Sequence, residues 1–256
     1  MSEVCGKFVW YDVMTTDAKA AETFYRNVIG WGMKDSGMSD RSYTILSAGP
    51  APMGGLMKLP DEVLARGGRP AWMGYIGVDN VDTYAAGVTA AGGTIHRAAE
   101  DIPGVGRFAV AADPHGAMFI LFHSNDPSPA TVAPGTAGHV GWHELQAGDL
   151  EGAFGFYSKL FGWTKAEAID MGPMGVYQTF ATGGAAVGGM MKKMPDVTRP
   201  FWLYYFNVDG IDKAVERVTK AGGTVLRPPH QVPGGSWISQ CFDPQSALFA
   251  MVSAKR

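Results

Sequence analysis

Two carboxylates stand in matching surroundings. In Val9-Trp10-Tyr11-Asp12-Val13-Met14 and in Gly141-Trp142-His143-Glu144-Leu145-Gln146, an acid follows a tryptophan by two residues. Side chains alternate across a β-strand, so Trp10, Asp12 and Met14 share one face, as do Trp142, Glu144 and Gln146, while Tyr11 and His143 point the other way. An acid on an otherwise apolar inward face has two readings. Either an arginine or backbone amides satisfy it, or it opens onto a cavity where a raised pKa suits it to act as a general base, a substrate anchor or a displaced metal ligand. Further aromatics follow at Trp72 and in Trp202-Leu-Tyr204-Tyr-Phe206. Indoles so placed either pack a core or line a pocket for a flat or apolar ligand. The candidate site is therefore Asp12 and Glu144 as acid, base or anchor, with Trp10, Trp72, Trp142, Gln146, Trp202 and Tyr204 as ligand contacts.

Other chemistries find less support. His139 and His143 are four apart, but on a strand rather than a helix, so the spacing carries no helical zinc motif. The turns Pro103-Gly-Val-Gly-Arg107 and Pro233-Gly-Gly-Ser-Trp237 are glycine-rich and able to close over a cleft. They do not lead from strand to helix, as a phosphate loop must. No Ser/His/Asp set occurs twice, and no cofactor is expected from the residues.

The elements that position these residues are written twice. Trp10/Trp142, Asp17/Asp149, Tyr25/Tyr157 and Trp31/Trp163 are each 132 apart; Met53-Gly-Gly and Val187-Gly-Gly are 134 apart; Trp72/Trp202, Asp79/Asp209 and Asp113/Asp243 are 130 apart. The chain is a tandem duplication with domains at 7–123 and 138–252. In the first half a strand over 8–14 meets an Asp17-capped helix that ends at Gly30. Strands follow at 43–46 and 53–57, then a loop over 59–70. A strand at 72–78 leads to a helix over 79–91, and strands at 94–97, 107–112 and 117–123 close the half. Residues 124–137, with three prolines and no periodicity, read as a linker. The second half repeats the plan: strand 139–146, helix 149–161, strands near 176–181 and 186–192, strand 201–208, helix 209–221, and strands to 252.

Composition narrows the function classes. The 21 basic and 24 acidic residues give a net charge of −3 without a Lys/Arg block, so neither nucleic acid nor an anionic membrane is an expected partner. The start of the chain has no basic segment followed by an apolar run, and no stretch approaches the ~20 apolar residues of a membrane span, so a cytoplasmic location is expected. Cys5 and Cys241 occupy unmatched places in the repeats and read as free thiols.

The ordered set of strand, Asp-capped helix with Phe-Tyr, Gly-Trp, Val-Asp, Ala-Gly-Gly and terminal Asp-Pro resembles the vicinal oxygen chelate superfamily. That superfamily includes glyoxalase I, the bleomycin- and fosfomycin-resistance proteins and the extradiol dioxygenases. The likeness covers nearly the whole chain twice and is nearest to a two-domain glyoxalase-like branch that includes a mycobacterial antigen family of about this size. It implies an α+β fold in which each domain is two βαβββ modules, forming a U-shaped mixed sheet around a small-molecule cleft. Metal-dependent members draw ligands from positions that fall here on Trp10 and Trp142, Gly74 and Tyr204, and Ile120 and Ala250. The usual cage is missing, although a divalent metal on rearranged ligands is left open. The resemblance thus supports a metal-free small-molecule-binding protein, with a glyoxalase-like lyase or dioxygenase-like enzyme and a ligand-free interaction protein as alternatives. Two such domains on one chain are compatible with a monomer or a homodimer.

Overall fold

The computed structural model describes residues 4–38, 42–126 and 132–256, so residues 127–131 of the expected linker lie outside the described residues. The first half runs β1 (Phe8–Thr15), α1 (Ala18–Val28), β2 (Gly32–Asp35), β3 (Tyr43–Ala48), β4 (Ala51–Lys58), α2 (Asp61–Ala65), β5 (Ala71–Gly77), α3 (Val81–Ala90), β6 (Thr94–Ile102), β7 (Gly106–Ala112) and β8 (Met118–Ser124). The second runs β9 (Val140–Ala147), α4 (Leu150–Phe161), β10 (Thr164–Asp170), a 3-10 turn (Gly172–Met174), β11 (Val176–Ala181), β12 (Ala186–Lys192), β13 (Phe201–Asn207), α5 (Ile211–Lys220), β14 (Thr224–Gln231), β15 (Trp237–Phe242) and β16 (Leu248–Ser253). Each half is thus two βαβββ modules. The strands form two eight-stranded mixed sheets, ordered β2-β3-β4-β1-β5-β8-β7-β6 and β10-β11-β12-β9-β13-β16-β15-β14.

Local signals explain the helices. Asp17 accepts from the Ala20 amide at 3.0 Å and Asp149 from the Gly152 amide at 2.7 Å, which satisfies donors the first turn leaves orphaned. Gly30 and Gly162 take the left-handed conformation that ends α1 and α4, with φ of 90° and 70°. Four details differ from the sequence expectation. The cap of α3 is Asn80, which accepts from the Thr83 amide at 2.9 Å, one residue after the expected Asp79. A short helix, α2, occupies part of the expected 59–70 loop, with Asp61 and Glu62 in its first turn. Strands β2 and β10 are edge strands with few buried residues, so the alternation that reveals a half-buried strand is absent from them.

Spatial proximity groups the elements differently from the repeats. One compact unit is Met1–Val9, Met73–Pro129 and His143–Trp202; the other is Trp10–Trp72, Ala130–Trp142 and Leu203–Arg256. Each unit therefore joins the first module of one half to the second module of the other. Within the second of these units, Tyr25 of α1 donates to Asp243 Oδ2 at 3.0 Å and accepts from Trp72 Nε1 at 2.9 Å. Asp243 Oδ1 accepts from the amides of Gln245 and Ala247, closing the Asp-Pro turn. Trp31 Nε1 donates to the Gly138 carbonyl at 2.8 Å. The other unit repeats the plan: Trp202 Nε1 reaches Tyr157 at 3.0 Å, Tyr157 reaches Asp113 at a long 3.5 Å, and Trp163 reaches the Gly6 carbonyl at 2.6 Å. Burial raises the Asp243 pKa, an effect opposed by its hydrogen bonds from the turn amides and Tyr25. No helix among the described residues is long and apolar enough to cross a membrane.

Candidate functional site

The parallel pairing of β1 with β4 sets Asp12 opposite Gly55, and that of β9 with β12 sets Glu144 opposite Gly189. Those registers decide what reaches each acid. Asp12 is only 2% exposed, and its Oδ1 accepts from Trp10 Nε1 at 2.9 Å and from the Tyr43 hydroxyl at 2.7 Å. Trp10 Nε1 also lies 2.8 Å from the Tyr43 oxygen, so indole, phenol and carboxylate form a closed cluster. Tyr43 arrives from β3 by crossing Gly55, where a Cβ would stand 2.0 Å from the hydroxyl and 2.7 Å from Asp12 Oδ1. Glycine is needed there for close approach.

The second half rebuilds the arrangement with different parts. Glu144, 8% exposed, accepts from Gln146 Nε2 at 2.8 Å on Oε1 and from the Tyr177 hydroxyl at 3.3 Å on Oε2. Tyr177, from β11, crosses Gly189, where a Cβ would meet its ring at 2.1 Å. The longer acid and the change from an indole to an amide donor leave the carboxylate–phenol pair in place. Burying a carboxylate costs several kcal/mol unless hydrogen bonds offset it, and here neutral side-chain donors supply such bonds. Neither Tyr43 nor Tyr177 figures among the sequence candidates. They are 134 apart, the offset of the Gly-Gly pairs, and that shared register is the one sequence signal that could have found them.

Three expected ligand contacts are placed elsewhere. Trp72, 5% exposed, is bonded to Tyr25 of α1 and packs on Trp31 and Phe206 at centroid distances of 5.6 and 4.8 Å. Trp202 is bonded to Tyr157 of α4 and lies edge-on to Trp163 at 5.8 Å. Tyr204 packs edge-on against Tyr11 at 5.2 Å, and Tyr11 alternates with Asp12 along β1, so Tyr204 lies on the face away from that acid. The reason is local: Trp72 and Trp202 face the helices α1 and α4 of their own halves. Trp142 is half-buried on β9.

His143 stacks on Phe8 at 4.3 Å and donates Nδ1–H to the Val187 carbonyl at 2.8 Å; burial lowers its pKa to about 4. Burial also lowers the pKa of His139, whose Nε2 is buried without a hydrogen-bond partner. Among the described residues no group of three His, Cys, Asp or Glu is placed to hold a metal ion. At the positions where the resemblance puts ligands, Trp10, Trp142, Gly74, Ile120 and Ala250 carry no metal-ligating side-chain atom, and the Tyr204 ring is packed on Tyr11. The residues do not fit the usual metal. Of the glycine-rich turns, the first is anchored by Arg107, which is paired with Asp82 at 2.8 Å and Asp101 at 2.9 Å. A cavity of ≈ 290 Å³ beside the end of α1 contains neither acid; the Arg217 on its wall is bonded to the Val28 carbonyl and Asp209.

Comparison with known proteins agrees with this fold. CFP32 of Mycobacterium tuberculosis, provisionally named a glyoxylase, is 31% identical over 246 residues, covering 95% of this chain and 93% of its own. The anthracycline biosynthesis protein DauV of Streptomyces sp. is 29% identical, covering 98% of this chain and 94% of its own. Among solved structures, the Mn(II)-bound glyoxalase of Novosphingobium aromaticivorans shares the fold with a TM-score of 0.68 at 15% identity, over 98% of this chain and 83% of its own. The 2,3-dioxygenase LapB of Pseudomonas sp. KL28 does so with a TM-score of 0.65 at 12% identity, over 96% and 91%. The sequence profile of one family matches residues 7–121 and again 136–251, and the chain belongs to that family, the Glyoxalase/Bleomycin resistance protein/Dioxygenase superfamily.

Proposed function

We propose that this protein binds small molecules, without a metal, through the carboxylate–phenol pair of each repeat. The observation that carries the reading is that both halves build the pair from different acids and different second donors, Asp12 with Trp10 and Glu144 with Gln146. Core packing alone would favour an apolar residue at such a site, since burying a carboxylate costs free energy that its hydrogen bonds must offset. Two relatives whose names concern anthracycline biosynthesis support a small-molecule role. The test is a thermal-shift screen of the intact protein with aromatic and charged metabolites. Binding to the native state raises the unfolding midpoint, and a screen that raises it for no compound contradicts the reading.

The variant Glu144→Gln separates site from scaffold. It is expected to fold with nearly unchanged stability and to weaken binding of a screen hit; large destabilisation with binding intact would reduce Glu144 to a structural residue. A second reading, a lyase- or dioxygenase-type reaction on rearranged metal ligands, draws on the fold shared with the Mn(II)-bound glyoxalase. Elemental analysis of protein purified without chelator or added metal distinguishes the two: stoichiometric Zn, Ni, Fe or Mn favours the second.

A further inference from the structure

The duplication shows what the cavity at the end of α1 lacks. Its walls include Ile29, Ala137, Asp209 and Arg217, and the matching positions of the other repeat are Phe161, Cys5, Asp79 and Gly87. The first two pairs are 132 apart and the last two 130 apart, the offsets of the landmarks around them. The cavity residues lie in one compact unit and their counterparts in the other. In that other copy a tyrosine fills the junction. Tyr84 of α3 stacks on Phe161 with centroids 5.8 Å apart and planes at 12°, and its hydroxyl lies 3.1 Å from Cys5 Sγ. Its pKa is pushed up to about 12, first by that hydrogen bond and by burial, with the nearby charge of Asp79 adding to the effect. On α5 the residue matching Tyr84 is Ala214. Tyrosine to alanine, phenylalanine to isoleucine and cysteine to alanine each remove volume from the same junction. Arg217 stands where the other copy has glycine, but its Nε is tied to the Val28 carbonyl at 2.8 Å and its Nη2 to Asp209 at 2.9 Å. What is left is the space of ≈ 290 Å³, walled also by buried Val28 and Val208 and open to solvent beside exposed Gly30 and Ala137. An apolar cavity of roughly 150 Å³ is enough to hold benzene. Ligand pockets run to ~300–1,000 Å³, so this one suits a single ring rather than several. The tethered guanidinium adds a preference, because a planar cation is attracted to an aromatic face and not to a saturated ring.

We infer that this cavity binds a small monocyclic aromatic molecule of phenol size, which takes the place that the Tyr84 ring fills in the other copy. The site is lined by neither acid and is independent of the carboxylate–phenol pairs. The probe is p-cresol, the tyrosine side chain as a free molecule, titrated into the intact protein and followed by amide NMR. Saturable shifts at Gly30, Ala137 and Asp209, larger than at their counterparts Gly162, Cys5 and Asp79, are expected at millimolar concentration. The saturated analogue 4-methylcyclohexanol is expected to bind at least about threefold more weakly. Ala214→Tyr combined with Arg217→Gly rebuilds the filled copy and should weaken p-cresol binding at least about tenfold. Should that variant not fold, Ala137→Phe at the exposed edge serves as the block, with the same loss expected. Absence of any saturable shift overturns the inference, as does equal binding of the saturated analogue or undiminished binding in a folded, blocked variant. Shifts confined to residues around Tyr43 or Tyr177 overturn it too, while leaving the function proposed above standing.

Discussion

At the scale of single residues, the tyrosines and the glycines they cross matter most. Gly55→Ala forces the Tyr43 ring off the strand, and overpacking of this kind costs roughly 1–3 kcal/mol. If the ring is the cause, the cost disappears in a Tyr43→Ala background, and a double-mutant cycle by urea unfolding measures the difference. An equal cost in both backgrounds would show that the backbone, not the phenol, requires glycine. His143 supplies a second prediction. Burial takes its pKa from the usual 6.5 down to about 4, so the unfolded chain takes up the proton first as the pH falls. Stability is therefore fully present above pH 6.5 and is lost as the pH drops toward 4, by an amount on the order of 3 kcal/mol. His143→Phe keeps a ring to stack on Phe8 and should flatten this dependence; the same slope in variant and parent would contradict it. The two acids were legible in the sequence from strand parity. Their tyrosine partners were not, because parity describes one strand while Tyr43 and Tyr177 reach across a neighbouring one.

At the scale of elements, the legible features were those with a local cause. Asp17 and Asp149 announced their helices because a cap needs only its own first turn, and Gly30 marked the end of α1 because few other residues accept its backbone. The edge strands β2 and β10 are not legible because each has little buried surface to pattern, and the helix contacts of Trp72 and Trp202 are not legible because they depend on tertiary packing. What holds α1 in place was equally hidden, since Tyr25 meets Asp243, a residue 218 positions away. Tyr25→Phe leaves Asp243 Oδ2 without that donor and Trp72 Nε1 without that acceptor. Each buried group so deprived costs about 1–3 kcal/mol, so a clear fall in the unfolding midpoint is expected. A midpoint unchanged by Tyr25→Phe would mean that the relay contributes nothing to stability.

At the scale of the whole molecule, repeat and compact unit are different divisions of the chain. Three of the landmark pairs that reveal the duplication, Tyr25/Tyr157, Trp31/Trp163 and Asp113/Asp243, are residues that bond across the repeats within each unit. Hydrogen exchange on Tyr25→Phe should therefore show weaker protection in β15 and β16 as well as in α1, following the unit rather than the half. Loss confined to residues 10–72 would contradict that. The duplication also leaves two acids in two differently furnished settings, each with a tyrosine laid over a glycine. The measurement that bears most directly on their role is the NMR spectrum of ring-labelled tyrosine during titration with a compound that raises the midpoint in the thermal-shift screen, the Tyr43 and Tyr177 signals being assigned with Tyr43→Phe and Tyr177→Phe. Saturable shifts at one or both of these signals, larger than at buried Tyr25 and Tyr157, are the predicted result. Saturable binding that leaves both signals unmoved would contradict a ligand site at the carboxylate–phenol pairs.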